Sequence, residues 1–229
     1  MSAKRLLDLA ASVAGLIALA PLYALIALVI RLESRGPVLF RQQRCGRGGE
    51  PFTMLKFRTM WRGSEKRGPG LTAAGDPRVT RVGAVLRRLK LDELPQLVNV
   101  ARGEMSLVGP RPELPEYVAC YSATQRAVLG LTPGITDPAS LEFFDEERLL
   151  AQAEDPESVY LAELVPRKIE VNLRYAASAT PWSDLGVIAR TLARVGGVLA
   201  GGRRSGTPVP PEGRPVVGGE PARTSGTRL

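Results

Sequence analysis

The chain has 229 residues, a formal net charge of +8 and no histidine, which excludes Ser-His-Asp and Cys-His catalysis, histidine metal ligation and an imidazole general base. Its two cysteines are too few for a disulfide scaffold or a cysteine zinc site, and they fit a reducing cytosolic face. The positive charge fits nucleic acid, anionic lipid or a phosphorylated substrate, but only 5% of the residues are aromatic, few for base stacking, so we expect no nucleic-acid partner.

An uncharged segment runs from Leu9 to Ile30 and is long enough to cross a hydrocarbon core of about 30 Å. It fits a cleaved signal peptide, a straight transmembrane helix or a re-entrant helix-break-helix. Pro21 lies mid-segment, where it would follow a signal cleavage and where it removes a backbone donor and bends a helix. Positive residues flank both ends, which favours two cytoplasmic ends and hence the re-entrant form. By this reasoning alone, the re-entrant and spanning forms stay nearly tied.

Residues 38–58 have the pattern of a β-hairpin, with two strand-like runs separated by the turn sequence CGRGGEP. The glycines suggest a phosphate loop, but no Gly-Lys-Ser/Thr follows, so turn chemistry is sufficient to explain them. Lys56 and Arg58 place two cations around Phe57 at the end of the hairpin. Further along, Asp76-Pro77 predicts the start of a helix, with the aspartate as its cap.

The adjacent carboxylates Asp92 and Glu93 open an apolar helical pattern, and we expect Asp92 to cap that helix. Cations at Arg87, Arg88 and Lys90 precede the pair, and a stiff loop over residues 109–112 follows it. Carboxylates at a helix start, ringed by arginine, suit a phosphate ester held with a divalent cation. The alternative is a charged helix start on a solvated face, which a lone Asp-Glu pair would favour.

The C-terminal half has the pattern of several helices: a mixed one over 116–129, acidic ones over 145–153 and 157–164 that break at Asp155-Pro156, and another over 166–177. Residues 182–199 form an amphipathic pattern with Trp182 at one end, which fits an interfacial helix and a core-packed helix equally well. Residues 201–229 are rich in Gly, Pro and Arg and predict a disordered tail.

Taken together, these motifs resemble the bacterial sugar transferases, monotopic phosphoglycosyl transferases that start glycan assembly on a polyprenyl phosphate carrier. The resemblance runs from Lys4 to about Leu192. It rests on ordered blocks: Lys4-Arg5-x-x-Asp8, Gly36-Pro37-Val38-Leu39-Phe40-Arg41-Gln42, Lys56-Phe57-Arg58-Thr59-Met60, Asp76-Pro77-Arg78-x-Thr80-Arg81-x-Gly83, Leu91-Asp92-Glu93-Leu94-Pro95-Gln96-Leu97, Met105-Ser106-Leu107-Val108-Gly109-Pro110-Arg111-Pro112 and Pro133-Gly134-Ile135-Thr136.

The resemblance implies an α+β, mostly helical, monotopic membrane protein with a small β-hairpin and interfacial amphipathic helices. Residues 1–35 would form a re-entrant membrane helix that breaks at Pro21, and residues 36–200 a cytosolic catalytic domain at the membrane surface. A disordered basic Pro/Gly-rich tail would occupy 201–229. The protein would lie in the bacterial cytoplasmic membrane, with its catalytic domain on the cytosolic face and in contact with inner membrane lipids. The chain also matches the small form of the family, without the extra N-terminal membrane domain of larger relatives.

The implied reaction transfers a sugar 1-phosphate from a nucleotide diphosphate sugar, expected to be UDP-linked, to undecaprenyl phosphate, and releases UMP. By the resemblance, Asp92 is the nucleophile that forms a covalent phosphosugar intermediate, and Glu93 ligates Mg²⁺. A carboxylate suits a chain without histidine because it is already ionised at neutral pH. The product would enter exopolysaccharide, capsule or glycan synthesis through downstream glycosyltransferases, and a homodimer is left open.

Candidate phosphate-binding residues follow from the same motifs. Arg111, fixed between two prolines, is the leading candidate because a guanidinium binds phosphate oxygens bidentately. The others, in decreasing order, are Arg87 and Lys56, then Arg58 and Arg78, with Asp155 as a further site residue that equally suits a simple helix start.

Two other classes of function compete with this interpretation. A conventional glycosyltransferase would release UDP and usually carries an Asp-x-Asp-type metal motif, which is not evident in this sequence. A non-catalytic basic scaffold at the membrane surface would be indifferent to Asp92. One departure from the family pattern concerns the sugar: Asp137-Pro138 follows Pro-Gly-Ile-Thr where many relatives have Gly-Trp.

Overall fold

The computed structural model describes residues 2–64, 72 and 75–200. Within these residues the protein is mostly helical, with two small two-stranded sheets, which confirms the expected α+β, mostly helical class. The predicted tail over 201–229 lies outside the described residues.

The N-terminal apolar segment forms two helices, α1 (Ala3–Ala18) and α2 (Ala20–Glu33), which meet at Leu19 with a bend of 60°. Pro21 lies in the first turn of α2, where a missing backbone N–H leaves no intrahelical bond unmade. Across residues 2–64, 72 and 75–200, no helix taken singly has the length and apolar character to cross a bilayer, and only the bent α1–α2 pair reaches both together.

The predicted hairpin is present. Strands β1 (Leu39–Cys45) and β2 (Pro51–Phe57) pair antiparallel and are joined through a 3₁₀ turn over Arg47–Gly49. Gly48 and Gly49 have φ angles of 75° and 82°, which explains the glycines of this turn because side chains with a Cβ rarely adopt that conformation. The hairpin therefore places Lys56 near the far end of β2, one residue before the strand ends.

Helix α3 (Arg81–Arg88) begins later than the sequence predicts. Its cap is Thr80, whose hydroxyl accepts a hydrogen bond of 2.9 Å from the backbone N–H of Gly83. The carboxylate of Asp76 instead binds the guanidinium of Arg78. The predicted helix start at Asp76-Pro77 is therefore wrong, because a local ion pair occupies the side chain that would have capped it.

The carboxylate pair lies in a 3₁₀ turn over Leu91–Glu93, and helix α4 (Gln96–Arg102) begins only after Pro95. Lys90, just before this turn, is in the left-handed conformation with φ 55°, so α3 ends there and the chain starts a new, tighter turn. The prediction that Asp92 caps the following helix is wrong, since Pro95 holds the cap position and no side chain caps α4.

The remaining elements surround a second sheet, in which β3 (Ser106–Val108) and β4 (Gly134–Thr136) pair in parallel. The helices are α5 (Pro115–Ala119), α6 (Pro138–Glu142), α7 (Glu146–Leu150), α8 (Pro156–Val159), α9 (Val165–Ala176) and α10 (Pro181–Leu199). A π-helical turn over Tyr160–Leu164 joins α8 to α9.

The single mixed helix predicted over 116–129 is wrong, because α5 ends at Ala119 and a 3₁₀ turn covers Gln125–Gly130. Between them, Ser122 and Gln125 exchange side-chain and backbone hydrogen bonds. Such local bonds compete with the helical backbone ladder and end a helix.

Helix α1 is tied to the catalytic part of the chain by charged side chains. The guanidinium of Arg5 donates to the carbonyl oxygens of Val100 and Ala101 at 2.5 and 2.8 Å, near the end of α4. The carboxylate of Asp8 accepts from the Ser106 hydroxyl at 2.8 Å and from the backbone of Leu107 at 3.1 Å. The N-terminal end of α1 is therefore fixed to the helix that follows the carboxylate pair.

Candidate active site

The Asp92–Glu93 pair, the carboxylate dyad, lies in the 3₁₀ turn over Leu91–Glu93 (the dyad turn), where three distant chain segments meet. The Oε1 atom of Glu93 is 3.1 Å from Nζ of Lys56, which comes from β2, and 3.0 Å from Nη1 of Arg111, which comes from the proline-bounded loop after β3. The side chains of Glu93 and Lys56 are 10% and 15% exposed, whereas that of Arg111 is 33% exposed. Glu93 is thus held from two sides, and the side chain of Arg111 is the most exposed of the three.

Asp92 is placed differently from its neighbour. It is 6% exposed, and its Oδ1 atom is buried without a hydrogen-bond partner. An unpaired buried polar atom costs about 1–3 kcal/mol, so such an atom marks a place where a substrate or ion completes the bonding. The pair therefore consists of one carboxylate engaged by cations and one that keeps an oxygen available.

The surroundings move the pKa values of the two carboxyl groups apart. Burial opposes ionisation of Glu93, but Lys56, Arg111 and Lys90 outweigh it and hold the pKa of Glu93 well below its ordinary value. Burial, together with the charge of Glu93, raises the pKa of Asp92, against the opposing effect of Lys56. A pair of carboxyl groups whose pKa values diverge is typical of an acid–base or nucleophilic site.

The two cations beside Glu93 also differ from each other. Burial lowers the pKa of Lys56 to about 8, although the charge of Glu93 opposes this shift. The charge of Glu93 raises the pKa of Arg111. Arg111 therefore stays charged at any physiological pH, whereas the charge of Lys56 is lost in mildly alkaline solution.

Arg87 and Lys90 contribute positive charge near Asp92, since both lower the pKa of its carboxyl group. The guanidinium of Arg87 donates to the hydroxyls of Thr59 and Thr72 at 3.0 and 3.3 Å. The sequence predicts Arg87 as a phosphate-binding residue and places Lys90 among the cations that precede the carboxylate pair. In the structure, Lys90 is distinguished by its left-handed backbone, directly before the turn that carries Asp92 and Glu93.

Three predicted site residues make their described bonds elsewhere. Arg58 donates to Ser34 and to the carbonyl oxygen of Arg35 just after α2. Arg78 pairs with Asp76 at 2.6 Å. Asp155 caps α8 by accepting from the backbone N–H groups at 157 and 158. The structure thus brings together Asp92, Glu93, Lys56 and Arg111, with Arg87 near them.

The residues around the dyad fit a magnesium ion that shares its coordination with a substrate. In the part of the chain that the structure describes, three or more His, Cys, Asp or Glu side chains do not converge into a metal cluster. Mg²⁺, however, is usually bound through one or two carboxylates, with substrate phosphates and water as its other ligands. The carboxylate of Glu93 supplies an oxygen donor of that kind, next in the chain to the unpartnered Oδ1 of Asp92.

Sequence reasoning missed other polar groups in and beside this site. The amide Nε2 of Gln96, four residues after Asp92, is buried without a hydrogen-bond partner. Glu113, two residues after Arg111, pairs with Tyr160 and Arg44. Gln96 lies within one of the family-like blocks and Glu113 directly follows another, so their position was a usable signal. The pairing with Tyr160 joins residues 47 positions apart and had no local signal.

The arrangement can perform nucleophilic substitution at a phosphate. It offers a carboxylate with an unpartnered oxygen, a second carboxylate fixed by cations, and a partly exposed arginine side chain, whose guanidinium is of the kind that binds phosphate oxygens. A carboxylate nucleophile needs no general base when it is ionised.

Comparison with known proteins points to one family. The model of the bacterial sugar transferase family matches residues 1–197. The chain is 42% identical over 202 residues to a UDP-glucose:undecaprenyl-phosphate glucose-1-phosphate transferase of Caulobacter vibrioides, covering 82% of this chain and 68% of that protein.

Two further relatives share shorter parts of their length with this chain. An undecaprenyl-phosphate glucose phosphotransferase of Komagataeibacter xylinus is 42% identical over 85% of this chain and 36% of its own. A UDP-N-acetylgalactosamine-undecaprenyl-phosphate N-acetylgalactosaminephosphotransferase of Aeromonas hydrophila is 49% identical over 50% of this chain and 27% of its own. The chain therefore spans about two thirds of one relative and roughly a third of the others.

Proposed function

The chain belongs to the bacterial sugar transferase family, and on this premise we propose that it is a phosphoglycosyl transferase. It transfers a sugar 1-phosphate from a nucleotide diphosphate sugar, UDP-linked, to undecaprenyl phosphate and releases UMP. The printed names of the relatives support the carrier and the type of transfer. Those names include both glucose and N-acetylgalactosamine, so the sugar that this protein transfers has to be identified by assay with a panel of donors.

The observation that carries the mechanism is the buried carboxylate of Asp92, whose Oδ1 has no hydrogen-bond partner. This oxygen attacks the phosphorus that bears the sugar, so that an aspartyl–phosphorus bond forms and the bond from phosphorus to the UMP oxygen breaks. The acceptor phosphate then attacks the same phosphorus, the bond to Asp92 breaks, and the free carboxylate is regenerated. Each step exchanges one phosphorus–oxygen bond for another and needs no histidine.

The second carboxylate and the cations have separate tasks in this proposal. Glu93 would hold Mg²⁺, which would offset the negative charge of the diphosphate. Arg111, whose side chain is partly exposed, binds the phosphate oxygens through its guanidinium. Lys56 sets the charge of Glu93 and adds positive charge at the same site.

We place the catalytic domain on the cytosolic face of the cytoplasmic membrane, with α1 and α2 as a re-entrant pair. The bend of 60° between these helices supports that placement, as do their exposed apolar side chains, which include Ile17 at 72% and Leu32 at 77%. Trp182 of α10 is 81% exposed and suits contact with the headgroup layer, where amphipathic aromatic rings are enriched.

The test is nucleotide release by the membrane-reconstituted protein, given a panel of UDP-sugars, undecaprenyl phosphate and Mg²⁺. UMP that appears only with the carrier and with one sugar supports the proposal and identifies the donor. Release of UDP would instead indicate a conventional glycosyltransferase. Absence of turnover with every sugar, under conditions where a characterised relative is active, would favour a non-catalytic scaffold.

A further inference from the structure

Glu113, two residues after Arg111, is part of a buried polar network that grips the arginine loop. The Tyr160 hydroxyl donates to Oε1 of Glu113 at 2.5 Å, and Nη1 of Arg44 lies 3.7 Å from Oε2. Arg44 also donates to the carbonyl oxygen of Pro112 at 3.1 Å. The backbone carbonyl of Glu113 accepts from the N–H of Cys45 at 3.0 Å. The chain on the C-terminal side of Arg111 is therefore held through both side chain and backbone.

The network is buried, and a hydrogen bond in the protein interior is electrostatically stronger than one at the solvent-exposed surface. Tyr160 is 2% exposed and Arg44 is 8% exposed. Burial and the negative charge of Glu113 raise the pKa of Tyr160 well above its ordinary value, so its hydroxyl keeps its proton and remains a donor.

The ring of Tyr160 is itself fixed by its neighbours. It packs against the ring of Tyr117 at a centroid distance of 5.5 Å, and Nζ of Lys168 lies 5.0 Å from its centroid. Lys168 in turn pairs with Glu146. Tyr160 also begins the π-helical turn between α8 and α9, and such turns occur frequently at functional sites.

We propose that Tyr160 is a positioning residue, which acts through Glu113 to hold the loop that presents Arg111 to the substrate phosphate. This inference rests on the proposed function, because Arg111 is the residue that binds the substrate phosphate in that proposal and the Tyr160–Glu113 contact holds its loop in place. Pro110 and Pro112 stiffen the loop locally, but only a long-range contact fixes where the stiff loop sits relative to the dyad. A misplaced clamp raises KM for the donor more than it lowers kcat, since it weakens binding of the ground state as well.

The first measurement compares Tyr160→Phe with the wild type in the UMP assay. The substitution removes only the hydroxyl and with it the hydrogen bond to the Glu113 carboxylate, so we expect kcat/KM for the donor to fall about tenfold, a loss of about 1.4 kcal/mol, chiefly through KM. Tyr117→Phe is the matched control, because it removes a hydroxyl from the adjacent ring and leaves the Tyr160–Glu113 bond in place. Wild-type kinetics in Tyr160→Phe would overturn the proposal.

A double-mutant cycle separates positioning from general structural support. In an Arg111→Gln background, Tyr160→Phe should cost nothing further, because the side chain that it positions is gone. The same loss in both backgrounds would show that Tyr160 does not act through Arg111 and would overturn the inference. Glu113→Gln provides a second variant should Tyr160→Phe fold poorly. We expect it to raise KM in the same way and to have no further effect on kcat/KM in the Arg111→Gln background.

A thiol probe tests the network without any turnover. Cys45 is buried and its backbone is bonded to Glu113, so its reaction with a water-soluble disulfide reagent reports opening of the loop. The measurement uses a Cys120→Ser background, which removes the exposed thiol. There, the reagent should react with Cys45 faster in Tyr160→Phe than in the parent protein, and at the parent rate in Tyr117→Phe. Equal rates of Cys45 labelling in Tyr160→Phe and the parent protein would overturn the claim that Tyr160 holds this loop. If the wild type releases no UMP, the proposed function fails while this probe still decides the network.

Discussion

Burial acts on Asp92 and Glu93 alike, yet the pKa of one carboxyl group rises and that of the other falls. The difference lies in the partners: Glu93 has Lys56 and Arg111 within 3.1 Å, whereas an oxygen of Asp92 has no partner. In the proposed mechanism, the carboxylate held by Lys56 and Arg111 is the fixed ligand, and the carboxylate that keeps an unpartnered oxygen is the nucleophile.

Replacing Asp92 by asparagine should abolish carrier-dependent UMP release, because an amide keeps the shape of the side chain but cannot attack phosphorus. Thermal unfolding should not move to lower temperature, since a neutral amide is easier to bury than a carboxylate. Purified Asp92→Asn with wild-type turnover would refute the nucleophile assignment. Asp155→Asn makes an informative comparison: asparagine caps a helix as well as aspartate, so lost turnover there would indicate the site role predicted from sequence.

Replacing Glu93 by glutamine should raise the Mg²⁺ concentration needed for half-maximal activity and reduce the maximal rate strongly. An amide oxygen carries no charge and binds Mg²⁺ more weakly than a carboxylate does. Titration of activity against Mg²⁺ measures both effects. Glu93→Asp is the matched variant, since it keeps the charge and shortens the side chain. A glutamine variant with the Mg²⁺ titration of the wild type would exclude the ligand role.

The alkaline pH dependence of activity tests Lys56. Its pKa is lowered to about 8 by burial, so its positive charge is present below that pH and is lost as the pH rises through it. We expect kcat/KM to fall above about pH 8 if the charge contributes to phosphate binding. Lys56→Arg, whose guanidinium stays charged, should retain activity to higher pH. The same alkaline fall in both proteins would assign the titration to another group.

At the scale of elements, the dyad turn is placed by packed backbone. A Cβ built at Gly83 of α3 would lie 2.0 Å from the carbonyl oxygen of Thr59, so α3 packs directly against the chain after β2. Thr59 also accepts a hydrogen bond from Arg87. The glycine therefore permits the close approach that sets α3, Arg87 and the turn that follows.

Gly83→Ala should accordingly destabilise the protein by about 1–3 kcal/mol, the usual cost of overpacking, and lower its activity. Gly186→Ala is the matched control in α10, where a Cβ would meet nothing within 4 Å. There alanine should stabilise by about 0.5–1 kcal/mol through its helix propensity. Denaturant unfolding measures both, and equal stability of the two variants would contradict the packing argument.

Local sequence patterns predicted elements well where the chain decides its own conformation. The hairpin and the final helix, predicted over 182–199 and observed over Pro181–Leu199, follow from turn glycines and apolar periodicity. The helix starts at Asp76 and Asp92 were wrong because each aspartate is used elsewhere: one pairs with Arg78 and the other lies in a separate turn. At Asp76 a stronger partner competes for the capping side chain, whereas at Asp92 a separate turn lies between the aspartate and the helix.

At the scale of the whole molecule, the proposed re-entrant placement of the α1–α2 pair can be tested by cysteine labelling. In a Cys120→Ser background, Ala3→Cys and Arg35→Cys place thiols at the two ends of the pair. A re-entrant pair exposes both to an impermeant maleimide from the cytosolic side. A spanning helix exposes them from opposite sides. Native Cys120, which is exposed, marks the side of the catalytic domain in the parent protein.

The sequence by itself determined the chemistry that is available: no histidine, a carboxylate pair, and cations in ordered motifs that indicate the family. Only the tertiary structure showed which cations lie beside Glu93 and that an oxygen of Asp92 is left without a partner. Glu93 meets Lys56 and Arg111 across separations of 37 and 18 residues. Periodicity and turn signals act over a few residues, whereas the charge state of a buried group depends on every charge and dipole packed around it. That environment exists only once the chain has folded.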